Sequence, residues 1–368
     1  MTLHLYFARQ YLSVLIRVLL LAATLVFMVS SLDRIRRSGT ELNLLDDALR
    51  SAARKTPEII AEAMPVIIIV SAIWYCSRMV VSNQFVASRA AGQSALRSLL
   101  TPVACAFLVG VAGLSSLNPA IATLARQDAL AQLGLEGTDD GLISVRESGL
   151  WLRQAREKGY SILHASGAFG DGTALNDVTI IEFDSDGDAR RTVHADRAFL
   201  RQEEGNWILF RGKAWDLERG IDNPELTAEE FLIGRSETSL TRQQLLDGYP
   251  RPETIPIWSI PRFIRAMDAA GFSSRNYRLH FQTELARPFL FAAIVLIGAA
   301  FILGSARFRR LGRSAFLALL SGFAVHSLQA LAKSLGVAGD LNLIAAAWFV
   351  PMAALAIGMS AVLFLEDG

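Results

Sequence analysis

Three groups of polar residues stand out in an otherwise apolar chain. Arg34, Arg36 and Arg37 form a basic cluster directly after the first long apolar run. Arginine suits phosphate, because its planar fork donates two parallel hydrogen bonds to one anion. The plain alternative is a solvated helix end that stops the run. His326, Gln329 and Lys333 are separated by three and four residues, which places them on one helix face within a later apolar run. Polar groups inside such a run face a bundle interior or an aqueous cavity. For His326 and Gln329, hydrogen bonding to a neighbouring helix and contact with a substrate both stay open. Lys333 either snorkels to the nearby membrane surface or adds a charge to a site. The third group is Asn83–Gly92, a short stretch between two apolar runs. Asn83 is placed to cap a small helix, Gln84 follows it, Phe85, Val86 and Arg89 lie close on one side, and Gly92 ends the turn. Such a segment is commonly a connector; it is also what a cytoplasmic motor would push. Glu62, near Pro65, is a weaker candidate that reaches only the interface.

Catalysis finds little support. There is no G-x-x-x-x-G-K-[ST] phosphate loop, so the chain is not itself a Walker-type ATPase. H-E-x-x-H and G-x-S-x-G are absent, and the five histidines are scattered. The two cysteines, Cys76 and Cys105, fall inside apolar runs, where small core residues are a better reading than a disulfide or metal site. A net charge of +1 with no basic run interleaved with aromatics leaves nucleic acid without a binding surface. No cofactor is expected. Transport or anchoring is favoured over enzymatic chemistry.

The elements that must position these groups follow from hydropathy. The chain is 52% hydrophobic, and a spanning helix needs about 20 predominantly apolar residues. Six segments qualify: Tyr11–Leu32, Pro57–Val81, Leu96–Ile121, Leu285–Ala306, Ser314–Leu335 and Leu343–Leu365. The first is too long for a cleavable signal and has no small-x-small site after it. The connection Arg307–Arg313 holds four arginines and no acid, so it belongs in the cytoplasm. Counting outward puts both termini and Asn83–Gly92 on that side. The polar middle of the chain and the basic cluster Arg34–Arg37 then lie on the other side. A basic cluster outside violates the usual bias and calls for an anionic partner.

The polar middle reads as alternating strands, at Gly149–Arg153, Tyr160–His164, Val178–Phe183 and Asn206–Phe210. Ile180 and Ile208 are expected to face its apolar interior. Gly170–Gly172 and Asp184–Asp188 read as turns; the second lacks the spacing and terminal glutamate of a calcium loop. An amphipathic helix is expected near the end of the insert, with Ser259 capping, Pro261 in its first turn and Gly271 stopping it. The fold class is therefore an α-helical membrane protein with six transmembrane helices and an inserted all-β domain. Residues 1–122 hold three spans with the short helix 83–92, residues 123–283 the β domain, and residues 284–368 three further spans.

Taken in order, several of these stretches resemble the LptF/LptG (YjgP/YjgQ) family of lipopolysaccharide-export permeases, the LptG branch more closely. The resemblance covers essentially the whole length. It rests on Asp33–Gly39 after the opening span, the second helix centred on Pro65, Val86–Gly92 ending Arg-Ala-Ala-Gly, Gly149–Arg153, Ser259–Gly271 and the terminal Leu365–Gly368. It implies a permease subunit of an ABC-type exporter that takes lipopolysaccharide from the outer leaflet of the Gram-negative inner membrane. The implied domain outside is a periplasmic β-jellyroll. The implied partners are an LptF-like permease in a heterodimer, an LptB-like ATPase dimer, and LptC-like and LptA-like periplasmic proteins forming a bridge. Arg36 and Arg37 match positions where the family carries basic residues contacting substrate phosphates, and Asn83–Gly92 matches its coupling helix. Gln84 stands where the family commonly has an acid, which replaces a salt bridge with at most a hydrogen bond. A membrane-anchored scaffold whose β domain only binds other envelope proteins is the alternative.

The orientation is directly testable. With an impermeant thiol reagent on spheroplasts, Ala189→Cys is expected to label and Leu311→Cys to stay protected. Labelling of Leu311→Cys alone would invert the chain.

Overall fold

The computed structural model describes residues 2–38, 44–90, 92–132, 143–146, 149–156, 159–169, 174–184, 187–201, 206–217, 228–237, 250–269, 272–304 and 311–367. The expected turn at Gly170–Gly172, Gly271 and most of the Arg307–Arg313 connection lie outside them. The chain divides into two compact units, Met1–Ala129 with Arg278–Gly368, and Leu130–Tyr277.

The first unit is helical. Its elements are α1 (Thr2–Ser38), α2 (Leu44–Val81), α3 (Gln84–Ala90), α4 (Ala95–Ala112), a π-helical turn (Gly113–Leu117), α5 (Asn118–Gln132), and, after the insert, α7 (Arg275–Gly304), α8 (Leu311–Ala338) and α9 (Leu343–Asp367). Six helical stretches are long and apolar enough to cross a membrane, at His4–Arg36, Leu49–Val81, Leu96–Asp128, Arg275–Gly304, Leu311–Ala338 and Leu343–Leu365. All six expected spans are present, but several helices overrun the apolar runs. Helix α1 continues through Arg34 and Arg36 to Ser38, and α2 begins thirteen residues before Pro57, which sits inside it. Polar side chains at a helix end are compatible with water, so a helix need not stop where its apolar run stops.

Helix α7 is the most enclosed, with 72% of its most apolar stretch buried, against 17% for α1 and for α8. One cluster joins Leu290, Ile294, Val295 and Ile302 of α7 to Ile68, Ala72 and Tyr75 of α2, Tyr11 and Val14 of α1, and Ala106 of α4. Between spanning helices, packing rather than water exclusion supplies attraction, so small residues at contacts let backbones approach. Gly110 of α4 is one: a Cβ there would lie 2.7 Å from the Cα of Pro288.

The second unit contains a single seven-stranded antiparallel sheet in sequence order. Its strands are β1 (Ile143–Arg146), β2 (Gly149–Arg156), β3 (Gly159–Phe169), β4 (Ala174–Phe183), β5 (Ala189–Arg201), β6 (Asn206–Asp216) and β7 (Ala228–Glu237). The turn at Asp184–Asp188 is a hairpin connection, closed by the Asp184 N–H on the Asp188 carbonyl at 3.0 Å and by Arg190 Nε on Asp184 Oδ2 at 3.1 Å. A short helix, α6 (Ile260–Ala269), follows two 3₁₀ turns and carries Pro261 in its first turn, as expected. It is held beside the start of α7 by the ring of Phe263 against Tyr277, 4.8 Å between centroids, while the Tyr277 hydroxyl donates to the Pro250 carbonyl at 2.8 Å.

Alternation along the strands breaks once, at the same level on neighbours. On β4 the buried residues are Leu175, Val178 and Ile180; on β5 they are Val193, Ala195 and Ala198. A step of three replaces the step of two. The registers Val178↔Ala195↔Gly212 and Asn176↔Arg197↔Phe210 place Asp177, Asp196 and Arg211 in one row across three strands. Asp177 and Arg211 have φ of 49° and 47°, so the pleat reverses there and a crease crosses the sheet. Polar side chains line the crease. Ser166 Oγ donates to Asp177 Oδ2 at 2.6 Å, His194 Nε2 lies 3.5 Å from Asp177 Oδ1, and Arg211 Nε donates to Asp196 Oδ2 at 3.2 Å. Ile180 is buried, but Trp207 and Leu209 rather than Ile208 take the buried face of β6. Within Asn206–Phe210 both alternating sets are apolar, Trp207 with Leu209 and Ile208 with Phe210, so a period of two does not choose between them; beyond Arg211 the crease shifts the parity, to Ala214.

Gly212 is fixed by this geometry. A Cβ there would fall 2.2 Å from the His194 carbonyl oxygen and 2.6 Å from the Phe231 ring. Gly212→Ala is expected to destabilise the insert by about 1–3 kcal/mol, the usual range for overpacking, read as a lowered melting temperature of the purified chain. An unchanged melting temperature would mean the crease opens freely.

Candidate functional site

The C-terminal end of α1 carries the basic cluster on an unbroken helix. Arg34 and Arg36 are both exposed, and Arg36 has no hydrogen-bond or ion-pair partner among the described residues. The backbone of Arg37 completes the same turn; its side chain lies outside the described set. On a regular helix Arg34 and Arg37 share a face, and Arg36 projects from the far side. Helix α1 packs against α2 and α4, whereas α8 packs against α2 and α9. No hydrogen bond or ion pair among the described residues joins Arg36 to Lys333.

The polar face of α8 is split by its packing. Gln329 is buried, and its Nε2 reaches the carbonyl oxygens of Ala346 and Ala347 on α9 at 3.4 and 3.3 Å. Both alanines are fully enclosed, and they open the α9 segment after the connection at Asp340–Asn342. Gln329 thus ties α8 to α9. Its Oε1 is buried and lacks a hydrogen-bond partner among the described residues. His326 and Lys333, about one turn to either side, are half-buried.

Helix α3 is held from below. Asn83 adopts φ of 56° and its carbonyl accepts the Ala87 N–H at 3.0 Å, while Gly92 closes the far end with φ of 78°. Ser88 turns inward, with its Oγ 3.3 Å from that of Ser98 on α4. Ser94 caps α4 by accepting the Arg97 N–H at 3.1 Å. Phe85 is half-buried and packs onto the main apolar cluster of the helical unit. Gln84 Nε2 donates to the Tyr6 hydroxyl of α1 at 3.3 Å. The outward face of α3 is therefore Val86, which is 63% exposed, with Arg89 and Asn83. The sequence grouped Phe85, Val86 and Arg89 on one side; in the fold Phe85 turns onto the core and Val86 is the apolar side chain presented outward.

Two further polar contacts were not singled out from sequence. Glu284 is buried in the first turns of α7 and accepts Arg287 Nη2 at 2.7 Å. Their spacing of three was the available signal, obscured because the apolar run starts only at Leu285. Trp348 Nε1 of α9 donates to Gln282 Oε1 of α7 at 3.0 Å, a pairing distant in sequence that no local pattern marks. Among the described residues no group of three or more His, Cys, Asp or Glu could hold a metal ion.

Residues 5–365 match the family model described as lipopolysaccharide export system permease LptF/LptG. A similar relative is the lipopolysaccharide export system permease protein LptG of Haemophilus influenzae, 26% identical over 153 residues. That alignment spans 42% of this chain and 42% of the relative.

The inward seat of Phe85 makes a stability prediction. A fully buried Phe→Ala change costs about 3–5 kcal/mol, and half-burial reduces this to about 1–2 kcal/mol. Phe85→Ala should lower the melting temperature of the detergent-solubilised chain, and Val86→Ala should leave it nearly unchanged. The reverse ranking would mean that Phe85 faces outward.

Proposed function

Because the chain belongs to the LptF/LptG family of lipopolysaccharide export system permeases, we propose that it is one permease of an ABC-type exporter. In this reading it takes lipopolysaccharide from the outer leaflet of the Gram-negative inner membrane and passes it to a periplasmic bridge. A separate ATPase bound on the cytoplasmic side supplies the energy, consistent with the missing phosphate loop. The partners are a second, LptF-like permease, an LptB-like ATPase dimer, and LptC-like and LptA-like proteins outside.

The observation that carries this reading is Arg36 at the end of α1, exposed and without a hydrogen-bond or ion-pair partner among the described residues, in a cluster that the topology puts on the side where arginines are disfavoured. A phosphorylated glycolipid in the outer leaflet would supply its counter-charge. Arg36 and Arg37 clasp a phosphate where α1 ends, and Arg34 and Lys333 add charge at similar depth. His326 lies about two turns further into the membrane than Lys333, with the Gln329 tie between them. At the opposite surface, the ATPase seats against Asn83, Val86 and Arg89 of α3. Motion of α3 then passes to α4 through the Ser88–Ser98 contact, to α1 through Gln84 and Tyr6, and to the core through Phe85. Gly92 ends the lever.

A charge-assisted contact contributes about 1.5–3 kcal/mol. Arg36→Ala with Arg37→Ala is therefore expected to weaken lipopolysaccharide binding in nanodiscs by roughly one to a few orders of magnitude, while the ATPase still assembles. Unchanged lipid binding in an intact complex would leave the cluster as a solvated helix stop.

A further inference from the structure

We propose that the N-terminal half of α1 carries a second lipid site, in which Arg9, Ser13 and Arg17 hold the headgroup phosphate of an anionic phospholipid of the cytoplasmic leaflet. The leaflet assignment rests on the topology above. Arg9, Ser13 and Arg17 are spaced four residues apart, which sets them in one stripe along the helix. With Leu5, Ala8, Leu12 and Ile16 they line an open depression of about 640 Å³. The opposite face of the helix, with Phe7, Tyr11, Val14, Leu15 and Val18, is buried in the core.

Arg17 is the informative residue. It interrupts the apolar run that begins at Tyr11, six residues in, or about 9 Å along the axis at 1.5 Å per residue. Ionisable side chains at such positions normally turn into the bundle or pair with an opposite charge. Arg17 does neither: it is exposed, and neither it nor Arg9 has a hydrogen-bond or ion-pair partner among the described residues. Helical side chains lean toward the N-terminus. Arg17 therefore reaches back toward Ser13 and Arg9, to the depth where phosphates of that leaflet lie.

The chemistry of the stripe selects a phosphate diester attached to acyl chains. A phosphate has several oxygens and accepts from two guanidinium groups and a hydroxyl together. A carboxylate carries the same single charge as a phosphate diester, but another helix would have to bring it there, and none of the described carboxylates pairs with Arg9 or Arg17. Free phosphate would have to leave water to reach Arg17, whereas a lipid headgroup is already at that depth. Leu5, Leu12 and Ile16, of which Leu5 is 74% and Ile16 53% exposed, offer the apolar surface along which an acyl chain runs.

The test uses the chain purified with its co-expressed partner subunits, in nanodiscs of phosphatidylcholine and phosphatidylglycerol, with retained lipids counted by native mass spectrometry. Wild type is expected to retain phosphatidylglycerol preferentially. Arg17→Leu should lower that preference roughly tenfold, the scale of one charge-assisted contact, and Arg17→Lys should keep part of it. Equal preference in wild type and Arg17→Leu would overturn the site. Loss of a partner subunit in Arg17→Leu would overturn it too, by assigning Arg17 to a carboxylate on that subunit. Labelling of Leu311→Cys reads the topology separately, so an inverted chain and an absent lipid site give different results.

Discussion

Helix α7 depends on close approach, and the helical unit depends on α7. In a bilayer every backbone polar group must be satisfied within its own segment, which leaves helices as the form for these spans. Helices alone do not choose partners, because lipid tails are as apolar as leucine. The choice is made by fit. Gly110 meets Pro288 with no room for a methyl group, and Gly322 of α8 and Gly298 of α7 both receive the side chain of Ile69 from α2. These contacts seat α2, α4, α7 and α8 together, and the polar groups of α3 and α8 take their positions from that framework.

The same framework sorts the polar residues into two kinds. Gln329 and Ser88 face neighbouring helices and make polar contacts with them. Arg9, Arg17 and Arg36 face away from the core and find no partner among the described residues. A cation on a membrane-facing surface is stable when an anion meets it, and phosphorylated lipids are the anions a membrane supplies in quantity. In the proposed reading, basic groups on opposite halves of one helix meet lipids of opposite leaflets.

The β insert solves a different problem. Seven strands in sequence order form an antiparallel sheet with one buried face. A crease through Asp177, Asp196 and Arg211 bends that face; pairing skips this row and resumes in the same register on either side. The left-handed backbone at Asp177 and Arg211 is disfavoured for residues with a side chain. The contacts of Ser166 with Asp177 and of Arg211 with Asp196 offset part of that strain, and Phe231 covers the bare backbone of Gly212 and Gly234 on the other face.

The six spans, the all-β character of the insert and the short helix after Asn83 were legible in sequence, because each follows from hydropathy, alternation or turn chemistry over a few neighbouring residues. The arginine cluster at Arg34–Arg37 was legible as an exception to a charge bias. Tertiary structure alone decided the rest. It turned Phe85 inward and Val86 outward, since a seven-residue helix has no period long enough to show which side meets the core. It tied Gln329 to α9 and Trp348 to Gln282, since contacts between distant segments leave no local pattern. It put Trp207 and Leu209 rather than Ile208 on the buried face, since both alternating sets of Asn206–Phe210 are apolar and period two alone does not choose between them. It also left Arg17 facing away from the core, which composition could only record as one charge in an apolar run.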